Sequence, residues 1–211
     1  MRRLTIAASL LVALVLAAPA GAQVAVDGVP PAPPQPHSIA VGEPWHGRLV
    51  DGVQLPEAGV GFLTWDFPLK RIPNRCWRRW GTDVLVATIE RVLGEYAAAH
   101  PDALPVLVGD LSRPHGGVFD KRYGGLGHSS HQNGLDADIF YPRNDHVERA
   151  PFRPDEVDRP LAQDLVDRFV AAGAQRIFVG PHVGLHGPPK VVEVLAHHDD
   201  HLHVRIPNPG R

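Results

Sequence analysis

Apolar residues at offsets of four, seven, eight and eleven from Leu85 (Ile89, Val92, Leu93 and Tyr96) predict an amphipathic helix, opened by Thr82 as N-cap and closed before His100-Pro101. A second stripe, Leu161, Leu165, Val166, Phe169 and Val170, predicts another helix that stops at Gly173. Val106-Leu107-Val108 and the run from Arg176 to Gly180 read as short buried strands. Two stretches alternate with period two. Leu135, Ala137, Ile139 and Tyr141 interleave with Asp136, Asp138 and Phe140, so both carboxylates share one face of a strand. Near the C-terminus Leu202, Val204 and Ile206 interleave with His201, His203 and Arg205, which gives one apolar face and one histidine face. Lys190 to Ala196 reads as a short helix, 142–158 as a polar loop and Gly184 to Pro189 as a turn. Residues 37–80, rich in Gly and Pro and holding all four tryptophans, read as loops and short strands.

The N-terminus changes the picture of where this domain works. Met1-Arg2-Arg3, an apolar run from Leu4 to Ala18 and the small residues Ala20-Gly21-Ala22 have the three sections of a secretory signal peptide, with cleavage expected after Ala22. The run is shorter than the ~20 residues a bilayer span needs, so no stable membrane span is expected after cleavage. Residues 23–36 read as a Pro-rich linker, which leaves 37–211 as one domain in a periplasmic or secreted protein. Without Arg2 and Arg3 the 21 Lys+Arg become 19 against 23 Asp+Glu, a net charge of about −4 that does not suggest nucleic acid as a partner. The single Cys76 excludes an internal disulfide framework and a thiolate zinc site; a buried apolar role is the commonest for such a residue. The segment with Lys70, Arg71, Arg75, Arg78 and Arg79 reads as a solvated loop with Trp77 and Trp80 packed inward, an anionic or glycan partner being the alternative.

Six of the thirteen histidines fall in two short windows, His128 and His131 before the first alternating strand and His197, His198, His201 and His203 in or before the second. A catalytic zinc takes three ligands from His and Asp/Glu and leaves a position for water. His131, seven residues before Asp138 across a Gly134 turn, and His203 on a neighbouring strand make such a set, with His128 as an additional ligand. His201, on the same strand face as His203, is a candidate general base or oxyanion stabiliser, and His198 is a second catalytic candidate. Asp136, Asp199 and Asp200 are available to accept the outer ring N–H of a ligating histidine.

These residues resemble the penicillin-insensitive murein endopeptidases, within the wider group of lysostaphin, D-Ala-D-Ala carboxypeptidase and hedgehog-like zinc folds. The likeness runs through Val106 to Asp110, Gly116-Gly117, Gly127-His128-Ser129-Ser130-His131-Gln132 and Gly134-Leu135-Asp136-Ala137-Asp138, and resumes at Arg176 to Val179 and His198 to Arg205. It implies a single α+β domain around a small antiparallel sheet with flanking helices. It also implies zinc on His131, Asp138 and His203 with His128 close by, and assistance from His201 and His198. The implied reaction is cleavage of peptide cross-links in peptidoglycan, chiefly between D-alanine and meso-diaminopimelate. A D,D-carboxypeptidase, or a peptidoglycan-binding module that keeps zinc without turnover, are the alternative expectations.

Overall fold

A computed structural model describes residues 37–125 and 127–210, which fall within one compact unit. The expected signal peptide and the Pro-rich linker lie outside the described residues. The order is β1 (Ile39–Glu43), β2 (His46–Val50), β3 (Val53–Gln54), β4 (Ala58–Gly59), β5 (Phe62–Thr64), β6 (Trp80–Gly81), α1 (Asp83–Ala99), β7 (Val106–Val108), β8 (Asp136–Phe140), α2 (Arg159–Ala171), β9 (Arg176–Val179), β10 (Val192–Val194) and β11 (His201–Arg205). None of these helices is long and apolar enough to cross a membrane.

Both helices form where their stripes and caps place them. Thr82 Oγ1 accepts from Leu85 N–H at 3.2 Å and satisfies one of the donors that a helix start leaves free. Asp158 caps α2 in the same way, accepting from Leu161 N–H at 3.1 Å, with Pro160 in the first turn where its missing N–H costs nothing.

The small antiparallel sheet is not what forms. Seven strands pair in the order β10-β9-β11-β8-β7-β5-β4, and β5–β7 and β9–β10 are parallel, so the sheet is mixed. A parallel pair needs a crossover, and α1 lies in the one between β5 and β7. Four of these seven strands are two or three residues long, too short to show a period in sequence. The helix expected over Lys190 to Ala196 is also overturned. Val192 to Val194 instead ladders onto Ile177 to Val179, where β-branched side chains suit a pleated surface and the backbone gains partners.

The alternation of β8 and β11 sets the two faces of the sheet. Ala137, Ile139, Leu202 and Val204 pack with Val106, Val108, Ile177 and Val179 against Leu85, Ile89 and Val92 of α1 and Leu165, Val166 and Phe169 of α2. Each fully buried aliphatic side chain of this layer contributes roughly 1.5–3 kcal/mol relative to exposure. The opposite face carries Asp136, Asp138, His201, His203 and Arg205, with Leu107 and Phe140 in a smaller apolar cluster beside Trp65.

The basic segment also differs from expectation. Arg78 and Arg79 are buried: Arg78 pairs with Asp110, while Arg79 donates to the carbonyls of Asn74 and Leu55. Their charges are therefore spent on internal acceptors, not on solvent. Cys76, expected in the core, is exposed.

Candidate functional site

The antiparallel register of β8 and β11 puts Asp138 directly opposite His203 and Asp136 opposite Arg205. Ladder pairing brings two segments 65 residues apart to one spot. His131 arrives from the loop before β8. It holds a left-handed backbone (φ 65), and its N–H donates to Asp136 Oδ2 at 3.0 Å, which folds the ring back over the strand. Gly134 makes that turn possible. Its φ is 77, and a Cβ there would lie 2.8 Å from Leu49 Cδ1.

Three atoms converge. His131 Nε2, His203 Nδ1 and Asp138 Oδ1 are mutually 3.2 Å apart. A tetrahedral ion about 2.0–2.1 Å from its ligands has donors about 3.3 Å apart, so the triangle has the size of one face of such a site. His128 joins it: one donor atom each from His128, His131 and Asp138 lie within 4.8 Å of one another, and His128 Nδ1 is 3.6 Å from Asp138 Oδ2.

The outer nitrogens fit the same chemistry. His131 Nδ1 donates to the Leu111 carbonyl at 2.5 Å, which leaves the lone pair on Nε2. His128 Nε2 bonds Asp110 Oδ2 at 2.8 Å. His203 Nε2 lies 3.3 Å from Asp136 Oδ1, although it is buried without a hydrogen bond of good geometry. Asp136 is itself held by Arg205, whose Nε donates to Oδ1 at 2.6 Å. All three rings therefore turn one nitrogen to an acceptor and the other inward, as ligating histidines do.

Electrostatics follow from burial among carboxylates. Burial opposes a charged His203, yet Asp136 and Asp138 outweigh it and carry its pKa up to about 9. Burial lowers His131 below the ordinary imidazole value, with Asp138 only partly offsetting it. Burial also works against the Asp138 carboxylate, but the charges of His131 and His201 and hydrogen bonds from His131 and His203 hold its pKa well below the usual range.

His201 Nε2 is 3.6 Å from Asp138 Oδ1, and its Nδ1 bonds Asp200 Oδ1 at 2.6 Å. Burial would lower it; Asp138 and Asp200 raise it instead. His198 stacks 4.8 Å from the His201 ring and donates Nδ1–H to the Ala196 carbonyl at 2.8 Å. Burial and the neighbouring His201 charge push it down to about 4. His128, His131, Asp138, His198, His201 and His203 thus line one cavity. Of the three carboxylates expected behind them, Asp136 and Asp200 take that place, whereas Asp199 bonds His182 Nδ1 at 2.8 Å.

The centre lies in a cavity of about 1210 Å³ that also touches Trp45, Phe67, Phe140, Phe152, Arg176 and Phe178. Asp110 and Arg78 were missed as site residues. The available signal was an Asp two residues after the apolar strand β7, whereas nothing in the basic run marks Arg78 apart from its neighbours.

A profile of the penicillin-insensitive murein endopeptidases matches residues 40–184, which include His128, His131 and Asp138 but end before β11. A penicillin-insensitive murein endopeptidase of Pectobacterium atrosepticum is 31% identical over 128 residues, 60% of this chain and 41% of that protein. One from Salmonella arizonae is 39% identical over 92 residues, 43% of this chain and 29% of its own length. The chain thus spans less than half the length of these relatives. Since the profile covers well over half of its residues, the chain belongs to the penicillin-insensitive murein endopeptidase family.

Proposed function

We propose that this chain is an exported zinc endopeptidase that cuts peptide cross-links of peptidoglycan, chiefly D-alanine to meso-diaminopimelate. The observation that carries the reading is the 3.2 Å triangle of His131 Nε2, His203 Nδ1 and Asp138 Oδ1 on the floor of a large cavity. These three residues would hold the metal, with His128 Nδ1 beside them. When bound, a zinc ion supplies polarisation of a carbonyl oxygen and lowers the pKa of water towards about 7. The two-window spacing of the ligands supports a place among the lysostaphin, D-Ala-D-Ala carboxypeptidase and hedgehog-like zinc folds. Export rests on the N-terminal segment and on the location of such a substrate.

The two remaining histidines divide the proton work because their surroundings push them apart. His198, neutral at pH 7 with its lone pair on Nε2, accepts a proton from the attacking water. His201, whose pKa Asp138 and Asp200 raise above the ordinary imidazole value, is placed to donate from Nε2 to the charge that develops on the carbonyl oxygen. The cavity exceeds the roughly 300–1,000 Å³ of an ordinary small-ligand pocket, which favours a cross-linked stem over a terminal D-Ala-D-Ala. Digestion of purified muropeptides tests the assignment by mass spectrometry. Dimers should become monomers, and loss of one alanine per stem would instead establish a D,D-carboxypeptidase. Binding without cleavage at saturating zinc would establish a non-catalytic module.

A further inference from the structure

Arg78 and Asp110 are buried and lead through the partly exposed His128 to the candidate metal centre, and the reaction above gives neither Arg78 nor Asp110 a part. Asp110 follows β7, and its backbone carbonyl accepts Asp138 N–H at 2.9 Å, which fixes it beside the acidic ligand. Its carboxylate is saturated. Oδ1 accepts Arg78 Nε at 2.6 Å and Asn74 Nδ2 at 3.1 Å, while Oδ2 accepts Arg78 Nη2 and, at 2.8 Å, His128 Nε2. Arg78 is 1% exposed and Asp110 5%. The guanidinium lies 4.9 Å from the ring centres of both Trp77 and Phe119 and gives another N–H to the Tyr123 carbonyl at 2.6 Å. Phe119 in turn packs 4.9 Å from the His128 ring.

A carboxylate gripped by a guanidinium accepts hydrogen bonds and donates none, so the proton shared with His128 must reside on the histidine. We propose that Asp110, anchored by Arg78 and Asn74, is a positioning residue that holds His128 in the Nε2–H tautomer, so that Nδ1 is the atom offered to the metal. Without it the imidazole is free to take either tautomer, and one of them blocks the inward nitrogen with a proton. The reading of the site as a metal centre underlies the second half of this inference; the tautomer does not depend on it.

The test uses metal-free, full-length protein labelled with 15N, in which two-bond 1H–15N correlation reports the tautomer of His128, identified by comparison with His128→Gln. Followed through a pH titration to the point where the ring carries a single proton, wild type should show that proton on Nε2. Asp110→Asn should shift His128 towards a mixture and weaken zinc binding, read by competition with a chelating dye, by about 10–100-fold. Arg78→Lys, which keeps the charge but loses the two-pronged grip, should move both readouts in the same direction and serves if Asp110→Asn does not fold. A neutral wild-type His128 whose single proton sits on Nδ1 overturns the proposal. So does a folded variant whose tautomer and zinc affinity both stay within twofold of wild type. Failure of the proposed peptidase activity with the tautomer lock intact would instead count against the functional reading alone.

Discussion

The candidate centre is half strand and half loop, and the two halves are held by different physics. Asp138, His201 and His203 sit on β8 and β11, where ladder hydrogen bonds and the Ile139 and Leu202 side chains on the opposite face fix the backbone; their placement follows from period two. His128 and His131 belong to a loop. They depend on a left-handed residue, on the Leu111 carbonyl and on the buried carboxylates Asp110 and Asp136. A sheet supplies precision through its backbone, whereas a loop must draw it from side chains. The loop half should therefore be the more sensitive to polar substitutions outside the ligands.

The largest expected effect removes a ligand from either half. His203→Ala and His131→Ala should each lose bound metal by elemental analysis and reduce muropeptide cleavage by at least about 10³-fold; retention of metal by either would break the shared-centre reading. His201→Ala and His198→Ala should keep the metal yet lose about 10²–10⁴-fold in kcat/KM. Their pH profiles distinguish them. His198 works deprotonated, so activity should fall as pH drops through about 4, while His201 works protonated, so activity should fall as pH rises through its raised pKa. With zinc held saturating across the profile, His198→Ala should lose the acid limb and His201→Ala the alkaline one.

A third prediction concerns the strand half alone. His203, with a pKa of about 9 in the metal-free protein, is protonated at pH 7 and must give up that proton to ligate. Zinc uptake should release about one proton through this group, with affinity climbing about tenfold per pH unit below pH 9. Calorimetry in buffers of different ionisation heats measures it, and no proton release at pH 7 would refute the assignment of His203. The smallest effect probes the loop half. Gly134→Ala forces a side chain into φ 77 and against Leu49, and should cost about 1–2 kcal/mol in denaturant unfolding. Loss of zinc affinity beyond that of a matched core substitution such as Leu202→Ala would sharpen the contrast between loop and strand.

Legibility in the sequence follows the same divide. Period-two alternation named the correct faces of β8 and β11, and helix stripes with their caps located α1 and α2, because each rests on local spacing. The strand β10 was misread, since Val192 and Val194 suit a strand only when β9 lies alongside. Arg78 looked like any solvated arginine; its burial against Asp110 appears only when β7 and the segment before β6 are brought together.

By itself the sequence named side chains whose donor chemistry suits a metal, because donor chemistry and same-face spacing are properties of the chain. The tertiary structure decided that the sheet is mixed and seven-stranded, that His203 stands opposite Asp138, and that Asp110 rather than Asp199 stands behind a histidine of the centre. Register, crossover and the pairing of buried charges are set by contacts between residues distant in sequence. No local pattern carries that information.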